Sequence, residues 1–191
     1  MIPLMLEGLL EPGTLVLVAL ALVIAVYLAF LGKKEKSDKT AALCKTYAVM
    51  TEELLASVPD EELVRAVVAN LIKKQDKKRP DPASQLPLLS RGRSAVYSVW
   101  LLCNELEKQE FDAFFRSSSA RFAEPAADGL ERIGATNSAT ALRAAMRTAE
   151  DDAQTPLWEA VTTVFREAVA AEQPLTQCVQ YIRDNPDEFV D

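Results

Sequence analysis

Residues 94–119 read "SAVYSVWLLCNELEKQEFDAFFRSSS". Val96, Val99, Trp100, Cys103 and Leu106 recur at steps of three and four, the spacing of a helix with one core-facing stripe. Phe111, Phe114 and Phe115 repeat that spacing at i, i+3 and i+4. No segment of the chain alternates apolar and polar residues long enough to make a strand. The stretch therefore predicts an all-α fold whose core is built partly from phenylalanines.

Helical signals continue on both sides. "RFAEPAADGLERIGA" ends at Gly134, a residue suited to a left-handed C-cap. Asn137 or Ser138 is expected to start the next helix. "TPLWEAVTTVFREAVAAE" places Thr155 as N-cap and Pro156 at the first helical position. Leu157, Trp158, Val161, Val164, Phe165 and Ala168 form its apolar face. A short helix at Leu175–Arg183 stops before Pro186, and Phe189 is expected to fold back on the domain. Toward the N-terminus, Asp38 or Thr40 is expected to cap a helix reaching about Ser57, with Leu43, Tyr47, Met50 and Leu54 on one face. Asp60 is the expected N-cap of the next helix. Glu61 and Glu62 suit its positive end, and Lys73 and Lys74 its negative end. Pro80, Pro82 and Pro87, within a basic cluster, predict an exposed loop and an internal boundary.

The segment from Pro12 to Gly32 holds 21 residues and no charge. As a helix it would extend ~31 Å, close to a bilayer's hydrocarbon thickness. No Lys or Arg precedes it, whereas "KKEK" follows at Lys33–Lys36. That order argues against a cleaved signal peptide. The positive-inside rule places the N-terminus outside and residues 33–191 in the cytoplasm. The expectation is a single-pass anchor in the inner or plasma membrane, followed by a compact cytoplasmic multi-helix domain. Ala21, Ala25 and Ala29 offer a small-residue face able to pair such helices into an oligomer. Three parts result: a transmembrane helix at 12–32, a basic helical segment with its Pro-rich loop at 33–87, and an acidic helical domain at 88–191.

Charge is uneven. Residues 33–93 carry 13 Lys/Arg against 9 Asp/Glu, and residues 94–191 carry 8 against 17. A net charge of −7 argues against direct nucleic-acid binding of the usual basic kind, and none is expected. Cys44, Cys103 and Cys178 lie far apart, with neither disulfide nor zinc spacing, and read as small buried hydrophobes. The chain has no histidine. This removes histidine bases and ordinary zinc sites. Its six glycines form no phosphate loop, and Ser117–Ser119 lack a nucleophile elbow. No catalytic residue, cofactor or metal is assigned. Glu105, Glu107, Glu110, Asp112 and Glu124 leave a carboxylate-based metal protein or enzyme as one alternative.

Three stretches together, "VYSVWLLCNELEKQEFDAFFRSSS", "AADGLERIGA" and "YIRDNPDEF", resemble a bacterial DNA-mimic-type domain family of unknown function. Trp100 and Glu105 resemble the motif's opening, and Phe111, Phe114 and Phe115 its aromatic centre. Ile133 and Gly134 match the helix end, and Tyr181, Ile182, Asn185, Pro186 and Phe189 the closing segment. The resemblance spans roughly residues 88–190. Lys108, Gln109 and Glu110 stand where the family carries an Asn-Gly-Gly turn, replacing two turn-permissive glycines. The resemblance implies an acidic protein that imitates DNA to occupy a basic DNA-binding protein. Such a surface predicts that Glu105, Glu107, Glu110, Asp128, Glu131, Asp151 and Asp152 gather on one face. The leading expectation is a membrane-anchored, non-catalytic interaction domain with an unidentified protein partner. A DNA-mimic regulator is the second.

Overall fold

The computed structural model describes residues 38–75, 82–107, 111–150 and 156–191. The expected transmembrane segment at 12–32 lies outside these residues. Among the described residues no helix is long and apolar enough to cross a membrane. The chain divides into a unit at Met1–Leu43, of which only residues 38–43 are described, and a compact unit at Cys44–Asp191.

The described residues are helical and hold no strand. The helices are α1 (38–46), α2 (Glu52–Ser57), α3 (Asp60–Lys74), α4 (Arg91–Leu106), α5 (Phe111–Arg116), α6 (Ala123–Arg132), α7 (Thr136–Glu150), α8 (Pro156–Glu172) and α9 (Pro174–Asp184). Short 3-10 turns occupy Pro82–Leu88, Ser118–Phe122 and Pro186–Glu188. Helix α4 is the centre of the compact unit, with α3, α6 and α9 packed around it. Helix α7 lies between α6 and α8. Val96, Val99, Leu102, Phe114, Leu130, Leu142 and Ile182 are almost wholly withdrawn from water. Burying one such side chain contributes about 1.5–3 kcal/mol.

Five local expectations change. The single helix from Asp38 or Thr40 to Ser57 is broken at 47–51. There the Thr51 hydroxyl accepts from Leu54 N at 3.2 Å and starts α2 afresh, with Glu52 and Glu53 in its first turn. Asn70 holds the break by donating to Tyr47 O at 2.9 Å. Asp60 is the first residue of α3, not its cap; Pro59 stands at the cap position. The described part of the Pro-rich stretch is a 3-10 turn rather than an exposed loop, with Gln85 and Leu86 buried. Helix α4 starts at Arg91, three residues before Ser94, because Ser90 caps it by accepting from Arg93 N at 3.2 Å. Helix α7 starts at Thr136, ahead of Asn137 and Ser138.

Other local signals hold. Gly134 has φ +91°, the left-handed region that a glycine occupies without strain. Ala135 N donates to Leu130 O at 2.8 Å and Gly134 N to Glu131 O at 3.1 Å, a Schellman pair closing α6. Pro156 opens α8. Gln173 takes φ 47° between α8 and α9, and the following turn is held as Gln177 Nε2 donates to Glu172 O at 3.0 Å. Phe189 folds back and is 1% exposed. Cys178 is buried, while Cys44 and Cys103 are half-buried. Burial pushes the Cys103 thiol up to about 11, aided by nearby Glu107, which leaves it protonated at neutral pH.

Candidate functional site

The aromatic signature joins α5 to α8. Phe111 stacks on Phe165 with ring centres 4.7 Å apart and on Trp158 at 5.5 Å. Phe115 meets Trp158 edge-on at 5.5 Å, and Phe114 meets Phe115 edge-on at 5.2 Å. Phe111 and Phe114 are buried and Phe115 is half-buried. Trp100 is half-buried and stacks with Tyr97 at 6.1 Å. These rings hold helices together. Of these rings, Tyr97 also lines a small groove with Leu71, Gln85 and Leu86.

The closing signature is likewise a fastening. Tyr181 Oη donates to Glu188 Oε1 at 2.7 Å, and the other Glu188 oxygen accepts the Gly92 N–H at the start of α4. A Cβ at Gly92 would stand 2.7 Å from that carboxylate, so any larger residue there makes the Glu188 side chain shift. Asn185 Nδ2 donates to Tyr181 O at 2.9 Å and finishes α9. Asp191 accepts from Met50 N at 2.8 Å, Asn70 Nδ2 at 3.2 Å and Arg93 Nη2 at 2.6 Å, and pairs with Lys74. Burial alone would raise the Asp191 pKa. Lys74, the Met50 N–H, Arg93 and Asn70 outweigh it and hold the carboxyl well below the usual range. Arg183 donates to Leu55 O at 2.7 Å, Val58 O at 2.6 Å and Asp60 at 2.6 Å, tying α9 to the junction of α2 and α3.

The carboxylates are dispersed in role. Glu105 is half-buried and accepts from Ser119 Oγ at 3.3 Å. Glu107 is exposed just after α4. Asp128 and Glu131 do come together, on α6, but both are met by Arg143 of α7, at 2.7 and 2.8 Å. Glu110, Asp151 and Asp152 lie outside the described residues, as does the replaced turn at Lys108–Glu110. Glu172 was not singled out by sequence. It reaches from the end of α8 to the start of α7, accepting from Asn137 N at 3.0 Å, Ser138 N at 2.8 Å and Ser138 Oγ at 2.6 Å. Burial opposes ionisation of Glu172, yet the Ser138 hydroxyl and the two backbone N–H groups win and lower its pKa. Among the described residues no three His, Cys, Asp or Glu side chains gather in a way that can hold a metal ion.

The aromatic signature and the closing segment sit on a continuous stretch of the compact unit, and the family described as DMP19-like protein matches residues 88–185, just over half of the chain. The chain belongs to the DMP19-like family. That family is of DNA-mimic type. Comparison with curated proteins and with solved structures returned no match. The DMP19-like region starts at the end of the Pro82–Leu88 turn and runs to Asn185, so it contains α4 to α9 and the Phe111–Phe165 stack. Glu188, which joins α9 to α4 within that region, and Asp191, which ties it to α3, fall just beyond it.

Proposed function

We propose that this DMP19-like chain is a non-catalytic, helical protein-binding module whose carboxylates engage a basic DNA-binding protein, held at a membrane by residues 12–32. Family membership over residues 88–185 is the observation that carries the reading. The excess of 17 Asp/Glu over 8 Lys/Arg in residues 94–191 supports it. Helix α6 supplies one ordered row. Glu124, Asp128 and Glu131 follow at steps of four and three on one helix face, about 6 and 4.5 Å apart along the axis. That is the scale of successive charges on a DNA strand, one per ~3.4 Å of axis. Arg143 offsets one charge of the row. Glu107, Glu159, Glu167, Asp184 and Asp187 are further exposed carboxylates of the domain. The lack of histidine supports the non-catalytic part of the reading. The uncharged run at 12–32, followed by Lys33–Lys36, supports the anchor.

The test is affinity capture with the full chain in mild detergent. The reading expects a stable complex with a DNA-binding protein, and the chain in the membrane fraction after alkaline washing. A chain that turns over a substrate and holds no protein partner would overturn the binding role. Release by the alkaline wash would overturn the anchor.

A further inference from the structure

A groove of about 470 Å³ runs beside α4, α6 and the Pro82–Leu88 turn. Its size falls within the roughly 300–1,000 Å³ of ordinary ligand sites. The two helices run antiparallel along it. Tyr97, well inside α4, packs edge-on against Phe122, just before α6 begins. Ala95, nearer the start of α4, instead lies against Gly129, toward the end of α6. Arg91 and Arg132 therefore line one end of the groove, and Glu124 lines the other.

The floor is apolar because Gly129 lets the helices close. A Cβ there would stand 2.8 Å from the Ala95 carbonyl oxygen. Leu86 and Leu89 add an aliphatic wall. The charges are unequal in availability. Asp128 is already met by Arg143 at 2.7 Å. Arg132 donates a long hydrogen bond to Tyr181 Oη at 3.4 Å and lies within the field of the Glu188 carboxylate, which Tyr181 and the Gly92 N–H already hold. Arg91 is exposed and pairs with no other described residue. With Glu188 partly answering Arg132, the free positive charge at that end is that of Arg91, beside an apolar floor, with Glu124 at the far end.

We propose that this groove docks a short partner peptide in which an acidic side chain neighbours an aliphatic one. The aliphatic group covers Ala95, Gly129 and Leu86, and the carboxylate turns toward Arg91 and Arg132. This goes beyond the acidic-surface reading: it takes an acidic ligand rather than a basic one, at a groove whose edge includes Glu124 and Asp128 of the α6 row.

The experiment is fluorescence anisotropy on the full chain in detergent with three labelled octapeptides, built around Asp-Asp-Leu-Leu, Lys-Lys-Leu-Leu and Asp-Asp-Ala-Ala. The first is expected to bind tightest. Arg91→Glu should weaken it roughly tenfold while leaving the circular dichroism spectrum unchanged. Ser94→Trp, which fills the groove, should abolish binding. No binding by any probe, equal affinity for the acidic and basic leucine probes, or an Arg91→Glu variant that binds as wild type would each overturn the site. Capture of a DNA-binding partner by a chain that ignores all three peptides would overturn the groove alone.

Discussion

Replacing Phe114 with Ala separates a structural signature from a binding one. Its ring is 0% exposed and touches Phe115 edge-on at 5.2 Å. Phe115 in turn contacts Phe111 and Trp158, so the loss reaches the α5–α8 seam. Removing a buried phenylalanine ring costs about 3–5 kcal/mol, transfer and cavity together. The edge contact accounts for about 0.5–1.5 kcal/mol of such an effect. Helix α5 has six residues and no independent stability, so it cannot compensate. For a domain of this size each kcal/mol lowers Tm by about 2–4 °C, which gives a fall of roughly 6–20 °C. Thermal unfolding followed by circular dichroism measures it. Leu157→Ala, at a side chain 60% exposed on α8, is the comparison and should change stability by no more than about 0.5 kcal/mol. An unchanged melting curve for Phe114→Ala would refute the assignment of the signature rings to the core.

Glu172→Gln should lower stability by about 0.5–2 kcal/mol at pH 7, because it weakens the cap on α7. Since folding depresses the Glu172 pKa, its contribution is present above the ordinary value of 4.5 and fades as pH falls through the depressed one. The variant's urea curve should therefore converge on wild type in acid, and a constant gap would contradict the cap. Gly129→Ala should destabilise by about 1–3 kcal/mol, because the added methyl meets the Ala95 backbone, and a melting curve checks it. Arg143→Gln should cost no more than about 1 kcal/mol in chemical denaturation, since Asp128 and Glu131 are both more than half exposed. It should also tighten a basic partner at low salt, because the α6 row regains one negative charge.

Much of the helical plan is legible locally. The i, i+3, i+4 phenylalanines, the glycine closing α6 and the proline opening α8 each act through neighbours a turn away. What the sequence hides depends on distant partners. The break between α1 and α2 is held partly by Asn70, 23 residues from Tyr47, and by Asp191, 141 residues from Met50. The early start of α4 relies on Ser90, whose hydroxyl also donates to Glu188 O, 98 residues away. Glu172 caps a helix that begins 36 residues earlier than itself, and nothing in its own stretch marks that role. The acidic surface was only half legible. Counting charges identified Asp128 and Glu131 but not Arg143, which sits on another helix and answers both.

Competition with DNA addresses the central claim most directly. The partner recovered with the full chain would be titrated with a short DNA duplex, at several salt concentrations. Mimicry predicts mutual exclusion: duplex displaces the chain completely, and affinity for the chain falls steeply as salt rises. A ternary complex of chain, partner and duplex, or an affinity indifferent to salt, would contradict it.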